Sequence, residues 1–450
     1  MKYATINPVT NFLVREYPLH PCVDLEISQK AFISWRKLSV EERGEHLSRV
    51  AALLEKDLKK FAQLITLEMG KPLREAEYEL NKCLTAFDYY ITQAPGLLKD
   101  KAVKTNASES FVRYEPMGIV LSVMPWNFPF WQVFRFAIPT LITGNVTILK
   151  HAPNVPGCAA AIEQLFIEAG TPPNIFRNYY LTNEDTGKLF ADPRVVGISF
   201  TGSDETGSFL AEQAGRNIKK CVLELGGNDA FIVLEDAELD ATIVGAIKSR
   251  SINSGQSCNA AKRFIVVEKI ADEFIRRLNE AVCQLKVGNP EEEGTQIGPL
   301  ARKDLAEKVR AQVEDSLLHG ASASFGVEYQ NIGGNYITPM VLTNVKPGMK
   351  AFDEEIFGPV WSVVVAKDEE DAIKLANDSI YGLGASIWTK DIAKAKGMIS
   401  ELEAGNVFIN DIVKSDPRLP FGGVKRSGFG RELSEYGLKE FVNIKTVYLK

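Results

Sequence analysis

The sequence predicts an α/β protein whose helices cover doubly wound parallel sheets, and three observations lead to this prediction. Short apolar runs alternate with amphipathic stretches from about residue 118 to residue 200, which is the βαβ pattern of a parallel sheet. The same rhythm restarts near Leu225. The chain has 450 residues, more than one hydrophobic core usually contains, so two or three domains are expected.

The predicted elements follow from the periodicity of the apolar residues. Residues 22–70 predict helices, and Glu75 begins another helix that extends to Tyr90. The first βαβ region predicts strand 118–124, helix 129–143, strand 146–150, helix 157–169, strand 175–181 and strand 195–200. The second region predicts strand 230–233, helix 239–251, strand 264–267, helix 271–282, strand 361–365, a helix containing 372–376, and strands 386–388 and 407–410.

Two further strands are predicted outside these regions. The pattern changes to alternation near Ser110, which is typical of an exposed ribbon. Residues 441–449 alternate imperfectly at the C-terminal end. A terminal apolar strand needs an edge to pair with, so we expect it to pair with the ribbon near residue 111. A pairing across a subunit boundary is an open alternative.

The composition excludes several classes of function. The formal net charge is −6 and the charges are mixed along the chain, so neither nucleic acid nor an anionic membrane is expected as a partner. There is no N-terminal apolar signal core and no run of about 18 apolar residues, which predicts a cytoplasmic protein. The six Cys lack CxxC spacing and only four His occur, so neither a disulfide framework nor a metal site is expected.

A single cysteine, Cys258, lies in the polar turn Gly255-Gln256-Ser257-Cys258, between a predicted helix and the apolar run 264–267. A buried structural cysteine normally lies within apolar sequence. Small polar neighbours instead leave room for a substrate and leave backbone N–H groups free, as a nucleophile requires. On this stretch alone, a cysteine that happens to lie in a loop is an equally good interpretation.

Two further motifs carry polar groups that could assist such a nucleophile. Asn127 lies between Pro125 and Pro129, where its amide could stabilise an oxyanion or cap the next helix. Glu224 stands between apolar residues before two glycines, and apolar surroundings raise a carboxyl pKa towards that of a general base. An interfacial salt bridge is the alternative for Glu224.

Three other motifs are consistent with a nucleotide site. Lys150 ends a predicted parallel strand, where ligands of open α/β sheets bind. Gly202 and Ser203 precede a predicted helix, whose N-terminal N–H groups attract phosphate. Glu355, with Phe357 and a Gly-Pro turn after it, could hold ribose hydroxyls and pack a flat ring. A solvated lysine, a plain turn and an acidic loop are the respective alternatives.

Together these stretches resemble the aldehyde dehydrogenase superfamily along essentially the whole chain. The matching motifs, in family order, are PWNFP (125–129), LKHAP (149–153), FTGS (200–203), LELGG (223–227), GQSC (255–258), EEIFGPV (354–360) and PRLPFGGVKRSGFGRE (417–432). The resemblance implies a Rossmann-type dinucleotide-binding domain (1–97 and 116–225), a catalytic domain (226–424) and a β-ribbon oligomerisation arm (98–115 and 438–450). A homodimer or homotetramer is therefore expected.

The resemblance also implies a role for each matching residue. Cys258 matches the nucleophile, Glu224 the general base and Asn127 the oxyanion-hole amide. The implied chemistry is addition of the thiolate to an aldehyde, hydride transfer to NAD or NADP, and hydrolysis of the thioester to an acid. The implied cofactor-binding residues are Trp126, Lys150, Pro153, Gly202, Ser203, Leu225, Gly226, Glu355 and Phe357.

Within the family, the motifs KHAPN (150–154), CNAAKRFI (258–265) and KSDPRLPFGG (414–423) most resemble short bacterial-type succinate-semialdehyde dehydrogenases. This resemblance implies a carboxylate clamp of Arg135, Ser257 and Ser415, and an arginine fork can bind a carboxylate bidentately. Trp131 is expected to supply an aromatic wall, and a structural salt bridge is the alternative interpretation of Arg135. The alternatives are a dehydrogenase of another small aldehyde, a CoA-acylating relative, and an inactive member with a binding or structural role.

Two departures from the family pattern bear on the cofactor and on regulation. Many NAD-preferring relatives carry a Glu three residues after the ribose-binding Lys, where it repels a 2′-phosphate, whereas this chain has Pro153. NADP is therefore expected to be tolerated, and a preference for NADP is left open. Residues 259 and 260 are Asn and Ala, so no second cysteine is available for a disulfide switch beside the nucleophile.

Overall fold

The computed structural model describes residues 2–325 and 335–450. Its strands are β1 (Tyr3–Ile6), β2 (Leu13–Tyr17), β3 (Lys101–Ala102), β4 (Glu109–Pro116), β5 (Ile119–Met124), β6 (Val146–His151), β7 (Phe176–Asn178), β8 (Val195–Thr201), β9 (Lys220–Glu224), β10 (Ala230–Val233), β11 (Arg263–Val267), β12 (Ser322–Phe325), β13 (Met340–Thr343), β14 (Val360–Ala366), β15 (Tyr381–Gly382), β16 (Gly384–Trp388), β17 (Asn406–Ile409), β18 (Val424–Lys425), β19 (Gly428–Phe429) and β20 (Val442–Leu449).

The α-helices surround these strands. They are α1 (Leu25–Trp35), α2 (Val40–Lys56), α3 (Leu58–Met69), α4 (Leu73–Leu97), α5 (Trp131–Ile142), α6 (Pro156–Glu168), α7 (Asn183–Lys188), α8 (Asp204–Arg216), α9 (Leu239–Ser251), α10 (Glu268–Cys283), α11 (Lys303–Leu318), α12 (Lys350–Asp353), α13 (Glu369–Asn377), α14 (Ile392–Met398) and α15 (Ser434–Leu438). Within the described ranges, none of the helices is both long and apolar enough to cross a bilayer.

Local sequence signals explain where the N-terminal helices begin and end. Helix α2 starts after a capping box, in which Ser39 and Glu42 bond each other's backbone N–H groups. Helix α3 ends at Gly70, which adopts a left-handed conformation with φ of 78°. Helix α4 follows immediately and carries one face against α2, α3 and α5, so the predicted helical region forms a compact helical layer.

The first large sheet has the strand order β19-β9-β8-β5-β6-β7. Strands β5 to β9 run parallel, and only the short β19 is antiparallel to its neighbour. Every residue of β5 and of β6 is buried, because helices cover both faces of a parallel sheet and leave no polar side. The predicted doubly wound sheet is thereby confirmed.

The second large sheet has the strand order β12-β13-β14-β11-β10-β16-β17. Strand β12 is antiparallel to β13, and the remaining neighbours are parallel. Two apolar clusters lie on its faces, one containing Ile232 and Ile265 and the other containing Phe231 and Phe264. Successive residues of β10 and β11 therefore alternate between the two cores, as the pleat of a strand dictates.

The C-terminal strand β20 pairs antiparallel with β4 along its whole length, from Val442 opposite Pro116 to Leu449 opposite Glu109. Strand β3 pairs with the other edge of β4. The expected pairing with the ribbon near residue 111 is therefore present. Both strands belong to the same chain, so this pairing does not require a second subunit.

The predicted elements differ from the structure mainly at short or edge segments. The predicted strand 175–181 is only Phe176–Asn178, because the backbone N–H of Tyr180 donates to His20 Nδ1 instead of a neighbouring strand. The hairpin of β1 and β2 and strand β9 were not predicted as strands. The proposed domain boundaries stay a prediction. Except for β19, the strands of the first large sheet precede residue 225 and those of the second large sheet follow it.

Candidate active site

The candidate residues lie where parallel strands of the first sheet end. Strand β5 is followed by Trp126 and Asn127, β6 contains Lys150, and β8 is followed by Gly202. Strand β5 lies between β6 and β8, with Val123 opposite both Lys150 and Phe200. The carboxyl ends of these strands therefore share one edge, which is where ligands of open α/β sheets bind. The sequence motifs are brought together by this topology.

The loop that carries Cys258 is held in an unusual backbone conformation. Asn253, Ser254 and Gly255 have φ values of 54°, 54° and 80°. A Cβ at Gly255 would lie 2.3 Å from the carbonyl oxygen of Gly358, so only glycine fits there. The three left-handed residues turn the chain sharply after α9 and direct the following residues, 256–258, towards the end of the first sheet.

Asn127 is tied to the same loop by hydrogen bonds. Its Nδ2 donates to the carbonyl oxygen of Gln256 at 3.1 Å, and Asn253 Nδ2 donates to the carbonyl oxygen of Asn127 at 2.8 Å. An amide nitrogen has two donors, so one N–H of Asn127 remains without a partner within the described residues. The side chain is thus fixed in position and retains a donor that could stabilise an oxyanion.

Helix capping, the alternative role for Asn127, is performed by a different residue. The carboxylate of Glu79 accepts the backbone N–H groups of Phe130 and Trp131 at 2.8 and 3.0 Å, and Phe130 is the N-cap position of α5. Glu79 also pairs with Lys71 at 2.5 Å. The N-terminus of α5 is therefore satisfied by a buried carboxylate from α4, which leaves the Asn127 amide available.

The protonation state of Cys258 depends on its surroundings. Burial raises the pKa of its thiol to about 11, while the nearby Lys262 and Arg135 act in the opposite direction. Lys262 Nζ donates to the carbonyl oxygen of Ser257 at 2.8 Å and also to that of Cys258. In this arrangement the thiol is neutral at physiological pH, so a reaction through the thiolate needs a proton acceptor or a ligand that changes the environment.

A cavity of about 970 Å³ opens beside Cys258. Helix α4 contributes Glu79 and Lys82 to its wall, and α5 contributes Trp131 and Arg135. The loop between β17 and β18 adds a further part of the wall, which includes Ser415 and Phe421. The cavity is large enough for a small organic molecule, and its wall combines aromatic side chains with charged side chains of both signs.

Glu224 ends β9, and its carboxylate is buried. Burial raises the pKa of this carboxyl well above its ordinary value, the nearby Glu432 acts in the same direction, and Arg135 opposes both. Its Oε1 has no hydrogen-bond partner within the described residues. Glu224 is not among the residues that line the cavity, but three residues after the end of β9 lies Gly227, where a Cβ would be 2.7 Å from the carbonyl oxygen of Cys258.

The residues expected at the nicotinamide end lie together. Glu355 accepts the backbone N–H of Gly227 at 3.2 Å and pairs with Lys262 at 3.1 Å. The rings of Trp126 and Phe357 meet edge to face, with centroids 5.9 Å apart. Glu355 and Phe357 are thereby placed between the Cys258 loop and the end of β5, as a group that binds both a ribose and a flat ring requires.

The residues expected at the adenosine end are less tightly connected. Ser203 is the N-cap of α8, where its Oγ accepts the N–H of Thr206, and Gly202 donates its N–H to the carbonyl oxygen of Glu224. Pro153 accepts the backbone N–H of Ala4. Leu225 and Gly226 both bond to Ser427. The backbone N–H of Leu225 donates to the Ser427 carbonyl oxygen, and Ser427 Oγ donates to the carbonyl oxygen of Gly226.

The surroundings of Lys150 indicate whether this end of the sheet can bind a dinucleotide. Burial lowers the pKa of its amine to about 8, and within the described residues its side chain has no carboxylate or hydrogen-bond partner. An unpaired buried cation is unfavourable by itself. A ligand that brings hydroxyl or phosphate oxygens would satisfy it, so the residues present fit NAD or NADP.

The four residues expected to bind substrate all line the cavity. However, Arg135 forms a buried ion pair with Glu432, and its guanidinium lies over the ring of Phe421. The hydroxyl of Ser257 donates to Asn259 Oδ1 at 2.6 Å. The salt bridge that was the alternative interpretation of Arg135 is thus present, and the charge of this arginine is already balanced.

Three residues with prominent contacts at this site were assigned no role from the sequence: Lys82, Lys262 and Glu432. Lys82 Nζ donates to Ser415 Oγ at 2.6 Å and lies 4.4 Å from the centroid of the Trp131 ring. Glu75, Glu79 and Lys82 share one face of α4, a pattern that in sequence is typical of a solvated helix face. Only the packing of α4 against α5 places this polar face inside the protein.

Comparisons with known proteins agree with this arrangement. The family model described as the aldehyde dehydrogenase family matches residues 2–447. The chain is 47% identical over 453 residues to the protein named probable succinate-semialdehyde dehydrogenase (NADP+) of Synechocystis, with 100% of both chains covered. It is 44% identical to the succinate semialdehyde dehydrogenase (NAD(P)+) Sad of Escherichia coli, covering 99% of this chain and 97% of the relative.

A solved structure shows the same fold. The succinic semialdehyde dehydrogenase of Streptococcus pyogenes, in complex with NADP+, superimposes with a TM-score of 0.96 at 37% identity, and the match covers 99% of each chain. The family match and these similarities extend over nearly the whole chain, and the motifs that the family shares meet at one sheet edge. The chain therefore belongs to the aldehyde dehydrogenase family and is an oxidoreductase that converts an aldehyde to an acid.

Proposed function

We propose that this protein oxidises succinate semialdehyde to succinate, with NADP accepted as cofactor. The observation that carries the proposal is the cavity in which Cys258 shares a wall with cationic and hydroxyl side chains, including Arg135 and Ser415. These groups suit an aldehyde that carries a carboxylate better than a plain alkyl aldehyde. The Synechocystis and Escherichia coli relatives, which are named for the same substrate, support the assignment.

In the proposed mechanism, the Cys258 thiol loses its proton to solvent, and the thiolate adds to the aldehyde carbon and forms the thiohemiacetal. The oxygen becomes negatively charged as the sulfur adds, and the free N–H of the Asn127 amide lies beside the Cys258 loop to stabilise it, together with the Cys258 backbone N–H. The bonds between Asn127, Asn253 and Gln256 hold this donor in place before the substrate arrives. Such preorganisation is the main contribution that an oxyanion hole makes.

Glu224 is proposed as the base that activates water to hydrolyse the resulting thioester. Its raised pKa makes the carboxylate a stronger proton acceptor than an exposed Glu. Because Glu224 does not line the cavity in this structure, we expect its side chain to change rotamer when it acts. Release of the acid regenerates the Cys258 thiol.

The proposed cofactor contacts follow the sheet edge. Lys150 and Ser203 are assigned to the adenosine ribose and the pyrophosphate, and Glu355 with Phe357 to the nicotinamide ribose and ring. When bound, the nicotinamide would accept the hydride that leaves the substrate carbon. Pro153 brings no negative charge to the neighbourhood of Lys150, so a 2′-phosphate meets no repulsion from this position.

We also propose a homo-oligomeric, cytoplasmic enzyme, in which the sheet of β3, β4 and β20 serves as the contact arm. Ile444 and Tyr448 of β20 leave 61% and 56% of their surface exposed in one chain. Apolar side chains on an exposed sheet favour association. Light scattering coupled to size-exclusion chromatography would measure the number of subunits, and a monomer at micromolar concentration would contradict this part of the proposal.

The test of the proposed function is a steady-state assay of the purified protein. Succinate semialdehyde and butanal, which has the same chain length but no carboxylate, are compared with NAD and with NADP, and reduced nucleotide is measured. We expect kcat/KM for succinate semialdehyde to exceed that for butanal by about 100-fold or more, because the charged end of the substrate contributes binding energy. Equal values for the two aldehydes would contradict the proposal.

A further inference from the structure

The cavity beside Cys258 contains one partly buried lysine, Lys82, that forms no ion pair within the described residues. The cationic side chains of its wall are Arg74, Lys82, Arg135, Lys248 and Lys414. Arg74 and Lys248 are exposed to solvent. Arg135 is paired with Glu432, and Lys414 is paired with Asp411 at 2.6 Å. Among these wall residues Lys82 alone combines partial burial with the lack of a carboxylate partner within the described residues.

The environment of Lys82 is unfavourable for a charge without an anion. Its Nζ contacts the hydroxyl of Ser415 and the face of the Trp131 ring, neither of which carries a negative charge. Burial lowers the pKa of Lys82 to about 8, the neighbouring Arg135 acts in the same direction, and Glu79 opposes them without forming an ion pair. A carboxylate bound beside the ammonium would offset both effects, because an opposite charge at contact distance favours the charged form.

Lys82 and Ser415 also leave hydrogen-bond donors for such an anion. The ammonium has three N–H donors, and one of them is used on Ser415. Ser415 accepts this bond, so its own O–H is free to donate. The Trp131 ring restrains the ammonium through a cation–π contact. The pair therefore presents an N–H and an O–H side by side, which matches the two oxygens of a carboxylate.

We propose that the ammonium of Lys82 and the hydroxyl of Ser415 together bind the carboxylate of the substrate, so that Lys82 is a specificity-determining residue. Arg135, which the resemblance assigns to the same contact, is paired with Glu432 through its Nε, so Lys82 adds a cation that has no ion-pair partner of its own among the described residues. The inference rests on the proposed function, because it assumes that the substrate carries a carboxylate. It deepens that proposal by assigning the charge recognition to a helix that no sequence motif identified.

The test compares Lys82→Met with the wild type. Methionine keeps the length and the packing of the side chain but removes the charge. We expect the KM for succinate semialdehyde to rise about ten-fold or more, while its kcat and both constants for butanal change by less than about two-fold. The control Lys60→Met removes a charge from the exposed surface of α3 and is expected to leave all constants unchanged.

Two further variants separate recognition from a structural role. Lys82→Arg retains the charge, and we expect its KM for the semialdehyde to stay closer to wild type than that of Lys82→Met. Ser415→Ala removes only the hydroxyl, and a rise of a few-fold in the same KM is expected. If Lys82→Met does not fold, Ser415→Ala and Lys82→Arg still test the proposal. An unchanged semialdehyde KM in Ser415→Ala would overturn a carboxylate site shared by Lys82 and Ser415.

Succinate provides a readout that does not depend on semialdehyde turnover. As a competitive inhibitor of butanal oxidation it would occupy the same carboxylate site, so its inhibition constant should rise in Lys82→Met by the same factor as the semialdehyde KM. Equal losses for butanal and semialdehyde, or succinate inhibition unaffected by the variant, would overturn the role of Lys82. A wild type that prefers butanal would instead contradict the proposed function, and succinate inhibition would still test Lys82.

Discussion

The guanidinium of Arg135 and the carboxylate of Glu432 form an ion pair that is buried on both sides, at the wall of the cavity that contains Cys258. Both side chains are at most 5% exposed. Glu432 also accepts a bond from Ser199 and acts electrostatically on Glu224, whose pKa it raises. The pair therefore connects the substrate cavity with the proposed base.

Removal of one partner of this ion pair should lower the free energy of unfolding. Glu432→Gln leaves Arg135 buried without an anion, and loss of one partner of a buried pair costs about 3–5 kcal/mol. We expect the urea midpoint, measured by tryptophan fluorescence, to fall accordingly. Glu212→Gln breaks the exposed pair with Arg216 on α8 and should change the free energy of unfolding by about 0.5 kcal/mol or less. Equal stability of the two variants would show that the buried pair contributes nothing.

The left-handed turn before Cys258 predicts that Gly255→Ala inactivates the protein. An alanine there would combine a positive φ with a Cβ 2.3 Å from the Gly358 oxygen, so the loop and the nucleophile must move. Gly348 offers a matched control, since it has φ of 92° but open space around its Cβ position. Gly348→Ala should cost about 1 kcal/mol of stability and retain activity. Full activity of Gly255→Ala would contradict the role of this turn.

The high pKa of Cys258 predicts how its reactivity depends on pH. With a pKa of about 11, the thiolate fraction should rise about ten-fold per pH unit throughout the physiological range. Alkylation of Cys258 by iodoacetamide, followed by mass spectrometry of its peptide, measures this dependence in the protein without cofactor. A rate that levels off near neutral pH would show that the thiol is already ionised.

Cys258→Ala should abolish turnover and leave NADP binding intact.

Glu224→Gln should separate the two halves of the reaction. If Glu224 activates the hydrolytic water, the variant still forms the thioester and releases reduced nucleotide once per active site, then stalls. Stopped-flow measurement of reduced nucleotide would show a burst with an amplitude close to the enzyme concentration. Steady turnover at the wild-type rate would remove Glu224 from this role. The exposed Glu212→Gln serves as the control and should show no burst.

The cofactor assignment predicts the effect of a charge at position 153. Pro153→Glu would place a carboxylate three residues after Lys150, where it repels a 2′-phosphate. We expect the KM for NADP to rise about ten-fold or more and the KM for NAD to change little. Pro153→Gln is a neutral control for the loss of proline. Equal changes for both nucleotides would indicate that position 153 does not face the 2′ position.

Much of the fold could be predicted because its signals are local. Helix α9 begins and ends at the predicted residues, and β10 and β11 are found within one residue of the prediction, since apolar periodicity reflects burial of each element. Strand β9 was missed because it is short and begins with an exposed lysine. Its pairing with β8 and β19 decides its conformation, and such pairing is invisible in one segment.

The sequence by itself determined the family, the strand and helix pattern, and the motifs that meet at the edge of the first sheet, because each of these is encoded in short contiguous stretches. Only the tertiary structure decided which charges are balanced. Arg135 was expected to be free for substrate, but it faces Glu432, which lies nearly 300 residues later in the chain. Lys82, which resembled a solvated helix position, faces the cavity and forms no ion pair within the described residues. Charge balance depends on contacts between distant segments, so no local pattern could have revealed it.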